Sequence, residues 1–168
     1  MDAVRFLLDE LERETARNLK VLKLFPDGRN SWKPHDRSME AGYLAALIAQ
    51  MPAWIALMIE TDSLDLTDKE AASSVMARSC DSNKGLLKLA DESYQRGKTA
   101  LAATTEEHLR GHWAFKMSGA DVMGGPRIEQ IADTFTHMAH HRGQLTVYLR
   151  LLGEKVPSTY GPSADERV

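Results

Sequence analysis

Four long segments of the chain repeat apolar residues at helical spacing, and none alternates them with a convincing period of two. They cover residues 2–24, 39–60, 82–103 and 126–153. Residues 104–126 mix glycine with aromatic residues, which predicts an irregular crossing segment with a short extended piece at residues 112–117. We therefore predict an all-α fold, a four-helix bundle with one long crossing connection.

The ends of these helices carry recognisable residues. We expect Ser38 to cap the start of the second helix, and Thr67 to cap a short helix that begins at Asp68. Pro126 falls where proline is tolerated, just inside the fourth helix. Gly153 is a natural residue to follow the end of that helix.

The composition is that of an ordinary globular protein. With 168 residues, 43% hydrophobic and 27% charged, the chain suits one domain over residues 1–168, with a partly irregular tail at 154–168. The net charge of −3 gives no field for holding phosphate backbones, so we expect no nucleic-acid partner. Gln50 and Pro52 interrupt the longest apolar run, so we expect no membrane partner. A single cysteine and a start that does not look like an export signal favour a cytoplasmic location.

The fourth segment combines the helical apolar pattern with three histidines. His137, His141, Gln144 and Tyr148 follow one another at spacings of four, three and four, so they share one helix face, while His140 points away. A histidine pair four residues apart can bring two imidazole nitrogens to one metal ion, because neighbouring turns are only ~5–6 Å apart at Cβ. In the alternative interpretation, one histidine hydrogen-bonds within the bundle and the other lines a cavity.

The same segment resembles the C-terminal signature of the DinB/YfiT-like four-helix bundle family. In that signature a His-x-x-x-His-Arg-Gly-Gln run precedes a Leu-Arg-x-x-Gly-x-x-x-Pro ending. The matching positions here are His137, His141, Arg142, Gly143, Gln144, Leu149, Arg150, Gly153 and Pro157. The second segment is similar to the pattern that precedes the long crossing in this family. The resemblance therefore covers most of the chain and implies the same bundle.

The resemblance also implies a divalent metal, nickel or zinc, held by two histidines of the fourth helix and one of the second. His137 and His141 match the fourth-helix ligands. The second-helix ligand falls at Leu47, which has no lone pair to donate, so the usual set of three is broken here. A substitute donor has four candidates, none with a spacing that argues for it: His35, His108, His112 and Asp133.

Two classes of function follow from these residues. In the first, a degenerate metal site held by His137 and His141 activates a water or thiol, as in a metal-dependent hydrolase or thiol S-transferase acting on a small molecule. Gln144 or Tyr148 would then orient the substrate. In the second, no metal is bound and the bundle is a non-catalytic protein, either small-ligand-binding or structural, an interpretation that Leu47 favours. In both cases we expect a homodimer.

Overall fold

The computed structural model describes residues 2–167 and contains four long helices, two short ones and a three-stranded sheet. The helices are α1 (Ala3–Leu22), α2 (Ala41–Glu60), α3 (Lys69–Ser73), α4 (Asn83–Ala103), α5 (Glu106–Arg110) and α6 (Arg127–Leu151). The strands are β1 (Ser63–Asp65), β2 (His112–Met117) and β3 (Ala120–Pro126). The predicted four-helix bundle is confirmed, and its members are α1, α2, α4 and α6.

Helices α1 and α2 lie across the bundle from each other, and so do α4 and α6. Both α1 and α2 pack against α4 and α6, whereas α1 and α2 touch each other far less. The chain must therefore cross the end of the bundle between α1 and α2, and again between α4 and α6. These two crossings explain the long connections at residues 23–40 and 104–126.

Helix α2 is the most apolar element because it lies in the core on most of its sides. It is long and apolar enough to span a membrane by composition alone, yet 67% of its most apolar window is buried inside the fold. Its closest approach is to α4, where a Cβ at Gly97 would collide with the carbonyl oxygen of Pro52. A glycine that weakens α4 as an isolated helix thus permits the tightest helix contact.

The predicted cap of α2 was wrong. Glu40, not Ser38, occupies the N-cap position, and its side chain makes no capping hydrogen bond. The preceding loop takes over this role, because the backbone N–H of Ala41 donates to the carbonyl oxygen of Trp32 over 2.8 Å.

Two other predicted helix ends were wrong by one residue. Asp68, not Thr67, caps α3, and its carboxylate accepts from two backbone N–H groups of the first turn. Pro126 is the N-cap of α6 and does not lie within the helix. The predicted end of α6 is confirmed, since Gly153 has a φ of 87° and follows the last helical turn.

The crossing segment is more regular than the sequence indicated. The extended piece at His112–Met117 is confirmed as β2, but it pairs antiparallel with β3 and parallel with β1. Strand β3 contains Gly124 and Gly125, and a Cβ at Gly124 would collide with the side chain of Ala114 on β2. This close strand contact requires glycine, and glycine hides the alternating pattern by which strands are recognised.

Asp65, at the end of β1, fixes the turn of the β2–β3 hairpin. Its carboxylate accepts from the hydroxyl of Thr67 over 2.6 Å and from the backbone N–H groups of Gly119 and Ser118 over 2.7 and 3.3 Å. Ser118 and Gly119 both have positive φ angles, of 52° and 82°, as a tight hairpin turn requires. The hydrogen bonds from Thr67 and then from Gly119 lower the pKa of Asp65 from 3.8 to about 2.

We expect the hairpin turn to loosen reversibly in acid. The folded-state pKa of Asp65 lies below its ordinary value, so the anchoring is complete above pH 3.8 and is lost as the pH falls through about 2. The amide resonances of Ser118 and Gly119 should therefore shift over that range in nuclear magnetic resonance spectra. The variant Asp65→Asn should abolish this titration. If these amide resonances do not shift with pH in the wild-type protein, Asp65 does not anchor the hairpin turn.

A buried ion pair joins α6 to α1. Arg142 and Glu14 are 1% and 3% exposed, and the guanidinium of Arg142 donates to Glu14 Oε2 over 2.6 Å. The same guanidinium also donates to Asn18 Oδ1 over 2.6 Å and contacts the hydroxyl of Tyr160. Tyr160 belongs to the C-terminal tail, which folds back over α1 and α6 and so helps to enclose the pair.

A second buried guanidinium places the start of α6 against the end of α2. Arg127 is 2% exposed and donates to the carbonyl oxygens of Met58 (2.5 Å), Thr61 (3.0 Å) and His108 (3.0 Å). These carbonyls belong to the end of α2, the residue after it, and α5. Arg127 therefore fixes the start of α6 relative to the end of α2.

Candidate functional site

A cleft of about 650 Å³ opens between α2, α6 and the sheet. One wall is polar and comes entirely from α6, with residues spaced so that they follow one stripe of the helix: Gln130, Asp133, Thr134, His137 and His141. At ~1.5 Å of rise per residue this stripe is about 16 Å long. The cleft therefore has one long polar side.

The remaining walls of the cleft are almost entirely apolar. Helix α2 and the preceding loop provide Met39, Tyr43, Leu47, Trp54 and Met58. The hairpin provides Phe115, Val122 and Met123, and the segment after β1 provides Leu66, Val75 and Met76. Met76, Val122 and Met123 are each more than half exposed, so the apolar surface reaches solvent at the mouth of the cleft.

His137 and His141 form a hydrogen-bonded pair in the polar wall. Their Nε2 atoms are 2.8 Å apart and their ring centroids 4.5 Å apart. Gln144 fixes the second ring, because its side-chain oxygen lies 2.7 Å from His141 Nδ1 and can only accept. His141 Nδ1 therefore carries a hydrogen, and His141 Nε2 accepts the hydrogen bond from His137 Nε2.

The two rings differ in exposure but both favour the neutral form. His141 is 5% exposed, whereas His137 faces the open cleft. Burial lowers the pKa of both imidazoles, and the neighbouring His141 and His140 lower the pKa of His137 further. At neutral pH both rings are therefore uncharged, and each has one nitrogen that donates a hydrogen bond and one that accepts.

The side chains present do not fit a three-histidine metal centre. Leu47 lines the same cleft as the histidine pair, at the position where the family resemblance places the third ligand. Within residues 2–167, no group of three or more histidine, cysteine, aspartate or glutamate side chains is arranged to hold a metal ion. Two imidazole nitrogens alone fall short of the three or four protein donors that zinc sites use.

Three of the four substitute donors lie away from the cleft. His35 is in an exposed loop and accepts from the backbone N–H of Arg37, and His112 pairs with Asp121 on the surface. His108 bonds the carbonyl oxygen of Ile59 and borders a separate groove. Asp133 is the candidate that the structure does bring to the cleft, one turn before His137.

The two predicted substrate-binding residues have other contacts. Gln144 hydrogen-bonds His141 and also donates to His140 Nε2 over 3.1 Å. It therefore orients the His141 ring from outside the cleft. The hydroxyl of Tyr148 donates to the carbonyl oxygen of Met39 over 3.3 Å, and its ring packs against Trp32. Neither residue lines the cleft.

Other lining residues could not be assigned to this site from the sequence. Trp54 lies seven residues after Leu47, so helical spacing alone could have placed both on one face. Its ring centroid is 5.8 Å from that of His137, and its indole nitrogen has no hydrogen-bond partner among residues 2–167. Phe115, Val122 and Met123 reach the cleft only because the hairpin forms, which helical patterning could not reveal.

These features define a class of protein. It is a four-helix bundle in which the last long helix places a His-x-x-x-His pair in a cleft between itself and the second long helix. The sequence model of the DinB family matches residues 2–167, and the chain belongs to that family. No curated protein is close enough in sequence to be matched.

Solved structures share the fold at low sequence identity. A DinB-like protein from Bacillus subtilis has a TM-score of 0.69 at 18% identity, over 96% of this chain and 99% of that one. A DinB-like protein from Bacillus cereus has a TM-score of 0.68 at 20% identity, over 92% and 95%. YfiT from Bacillus subtilis, described as a probable metal-dependent hydrolase with an unusual four-helix bundle topology, has a TM-score of 0.63 at 14% identity, over 90% and 89%.

Proposed function

We propose that this DinB-family protein binds a small, largely apolar molecule in the cleft, and that the His137–His141 pair makes the polar contact to it without a three-histidine metal centre. The position of Leu47 gives this proposal its strongest support. It is 6% exposed and places an alkyl side chain in the wall of the histidine-containing cleft, where a metal ligand would be required.

The size and lining of the cleft support a small-molecule ligand. Pockets for such ligands typically measure ~300–1,000 Å³ and combine apolar walls with a few polar groups that fix orientation. This cleft has that volume, with its polar groups confined to the α6 stripe. Its methionines, among them Met39 and Met76, have flexible side chains that can adapt to the shape of a ligand.

The histidine pair has one nitrogen left for a ligand. His137 Nε2 is the donor to His141, so His137 Nδ1 is unprotonated in the neutral ring. No residue in the described part of the chain hydrogen-bonds that atom. His137 therefore offers an acceptor to an O–H or N–H group of a bound molecule, while Gln144 keeps His141 in the orientation that supports it.

A bulky side chain at Leu47 should block the cleft and weaken binding. Calorimetric titration with n-octanol is expected to show saturable binding to the wild-type protein and about tenfold weaker binding to Leu47→Trp. Losing roughly 60 Å² of apolar contact costs about 1.5 kcal/mol, which is that factor. The matched control is Val147→Trp, an exposed position of α6 outside the cleft. Equal affinity of all three proteins would refute the assignment of the cleft.

The second candidate is a metal-dependent hydrolase or thiol S-transferase acting on a small molecule. It is favoured by the convergence of the His137 and His141 Nε2 atoms and by the description of YfiT as a probable metal-dependent hydrolase. A bound nickel or zinc ion would activate a water or thiol. This candidate requires the protein to retain close to one equivalent of metal, with the substrate or solvent completing the ligand set.

A further inference from the structure

The formal charge in the lining of the cleft is a negative one. Among residues 2–167, Asp133 lines the cleft with a formal negative charge, and no lysine or arginine lines it. The Asp133 carboxylate forms no hydrogen bond or ion pair with any residue in the range 2–167. An anionic group in the cleft would thus meet a like charge without a compensating cation, whereas a cationic group would pair with Asp133.

Hydrogen-bond acceptors lie beside that carboxylate. Asp133 and His137 are four residues apart on α6, so their side chains are neighbours, with Cβ atoms ~5–6 Å apart. The carboxylate accepts only, and His137 Nδ1 is the free acceptor of the histidine pair. A group with several N–H bonds can donate to both of these acceptors, and a protonated primary amine has three N–H bonds.

Aromatic rings complete a lining that suits a positive charge. Tyr43, Trp54 and Phe115 contribute to the walls, and Trp54 approaches His137 closely. The face of an aromatic ring attracts a cation within ~6 Å of its centroid, by about 0.5–1 kcal/mol at exposed sites. The walls beyond the rings are alkyl and thioether groups, which fit an apolar body.

We infer that the ligand of this cleft is an amine with an apolar body, its ammonium group held by Asp133 and His137 and its body along the methionine-rich and aromatic walls. The inference rests on the proposed function and names the chemical class of its ligand. It distinguishes the cleft from one for fatty acids or other apolar anions, which require an arginine or lysine.

Three probes with the same chain test the head-group preference, namely n-octylamine, n-octanol and n-octanoate, each titrated calorimetrically at neutral pH. We expect n-octylamine to bind about tenfold more tightly than n-octanol, from one exposed ion pair together with a cation–π contact. We expect n-octanoate to bind most weakly. In Asp133→Asn, the preference for n-octylamine over n-octanol should disappear.

The matched control is Glu129→Gln, which removes a carboxylate from the same helix outside the cleft and should preserve the amine preference. If n-octanol binds as tightly as n-octylamine, or if the preference survives Asp133→Asn, the amine inference is wrong while the apolar cleft stands. If none of the three probes binds, the proposed function fails together with the inference.

Discussion

Replacing Leu47 with histidine should create a metal site and make the stability of the protein depend on nickel or zinc. Without metal, the variant is expected to lose about 1–3 kcal/mol of unfolding free energy, because a polar ring replaces a buried alkyl group. With nickel at a hundredfold excess over its dissociation constant, about 2.7 kcal/mol should return. The new imidazole would join His137 and His141 as a third donor from the facing helix.

Urea unfolding with and without added nickel measures both effects. The control is Leu47→Gln, which is closer to histidine in volume and is also polar but is a poor nickel ligand, so it should lose stability without regaining it from metal. If Leu47→His gains no more from nickel than the wild-type protein does, then residue 47 does not face the histidine pair closely enough to replace a ligand.

Among the single variants proposed for this protein, Glu14→Ala should lose the most unfolding free energy. The variant Glu14→Ala leaves the buried guanidinium of Arg142 without its charge partner, and breaking a buried pair in this way costs about 3–5 kcal/mol. Asn18 and Tyr160 still contact the guanidinium but carry no compensating charge at neutral pH. The midpoint of urea unfolding should fall accordingly.

Two further variants separate the burial of charge from the loss of contacts. Glu12→Ala removes an exposed carboxylate from the same helix and should change stability by no more than about 0.5 kcal/mol. In the double variant Glu14→Leu/Arg142→Met, two apolar groups replace the pair, and most of the loss should be recovered. A Glu14→Ala protein as stable as Glu12→Ala would mean that the pair is solvated.

The bundle could be predicted because helical patterning is local. The apolar spacing of α1, α2, α4 and α6 is contained within each segment. The cap of α2 could not be predicted in this way, because a more distant loop residue, Trp32, accepts the hydrogen bond from its first N–H group. The sheet could not be predicted in the same way. Strand β1 has three residues and pairs with β2 about fifty residues later, and β3 owes its close contact to glycines. The hairpin was therefore predicted only as one extended piece.

Part of the site could also be predicted, because it depends on residue spacing within one helix. The pairing of His137 and His141 follows from a spacing of four on one helix, and the structure brings their Nε2 atoms together. The family resemblance placed Leu47 opposite them, and Leu47 does line the same cleft. The packing of Tyr148 against Trp32 depends on a loop fold that spacing cannot reveal. The cytoplasmic location and the homodimer stay predictions from the sequence and the family.

We propose that the cleft holds an apolar ligand beside a metal-free histidine pair. The most direct test is elemental analysis of tag-free wild-type protein and of His137→Ala/His141→Ala, each incubated with nickel or zinc and then desalted. We expect well under one equivalent of metal in both proteins. Close to one equivalent in the wild-type protein, lost in the double variant, would contradict the claim and establish the metal-dependent alternative.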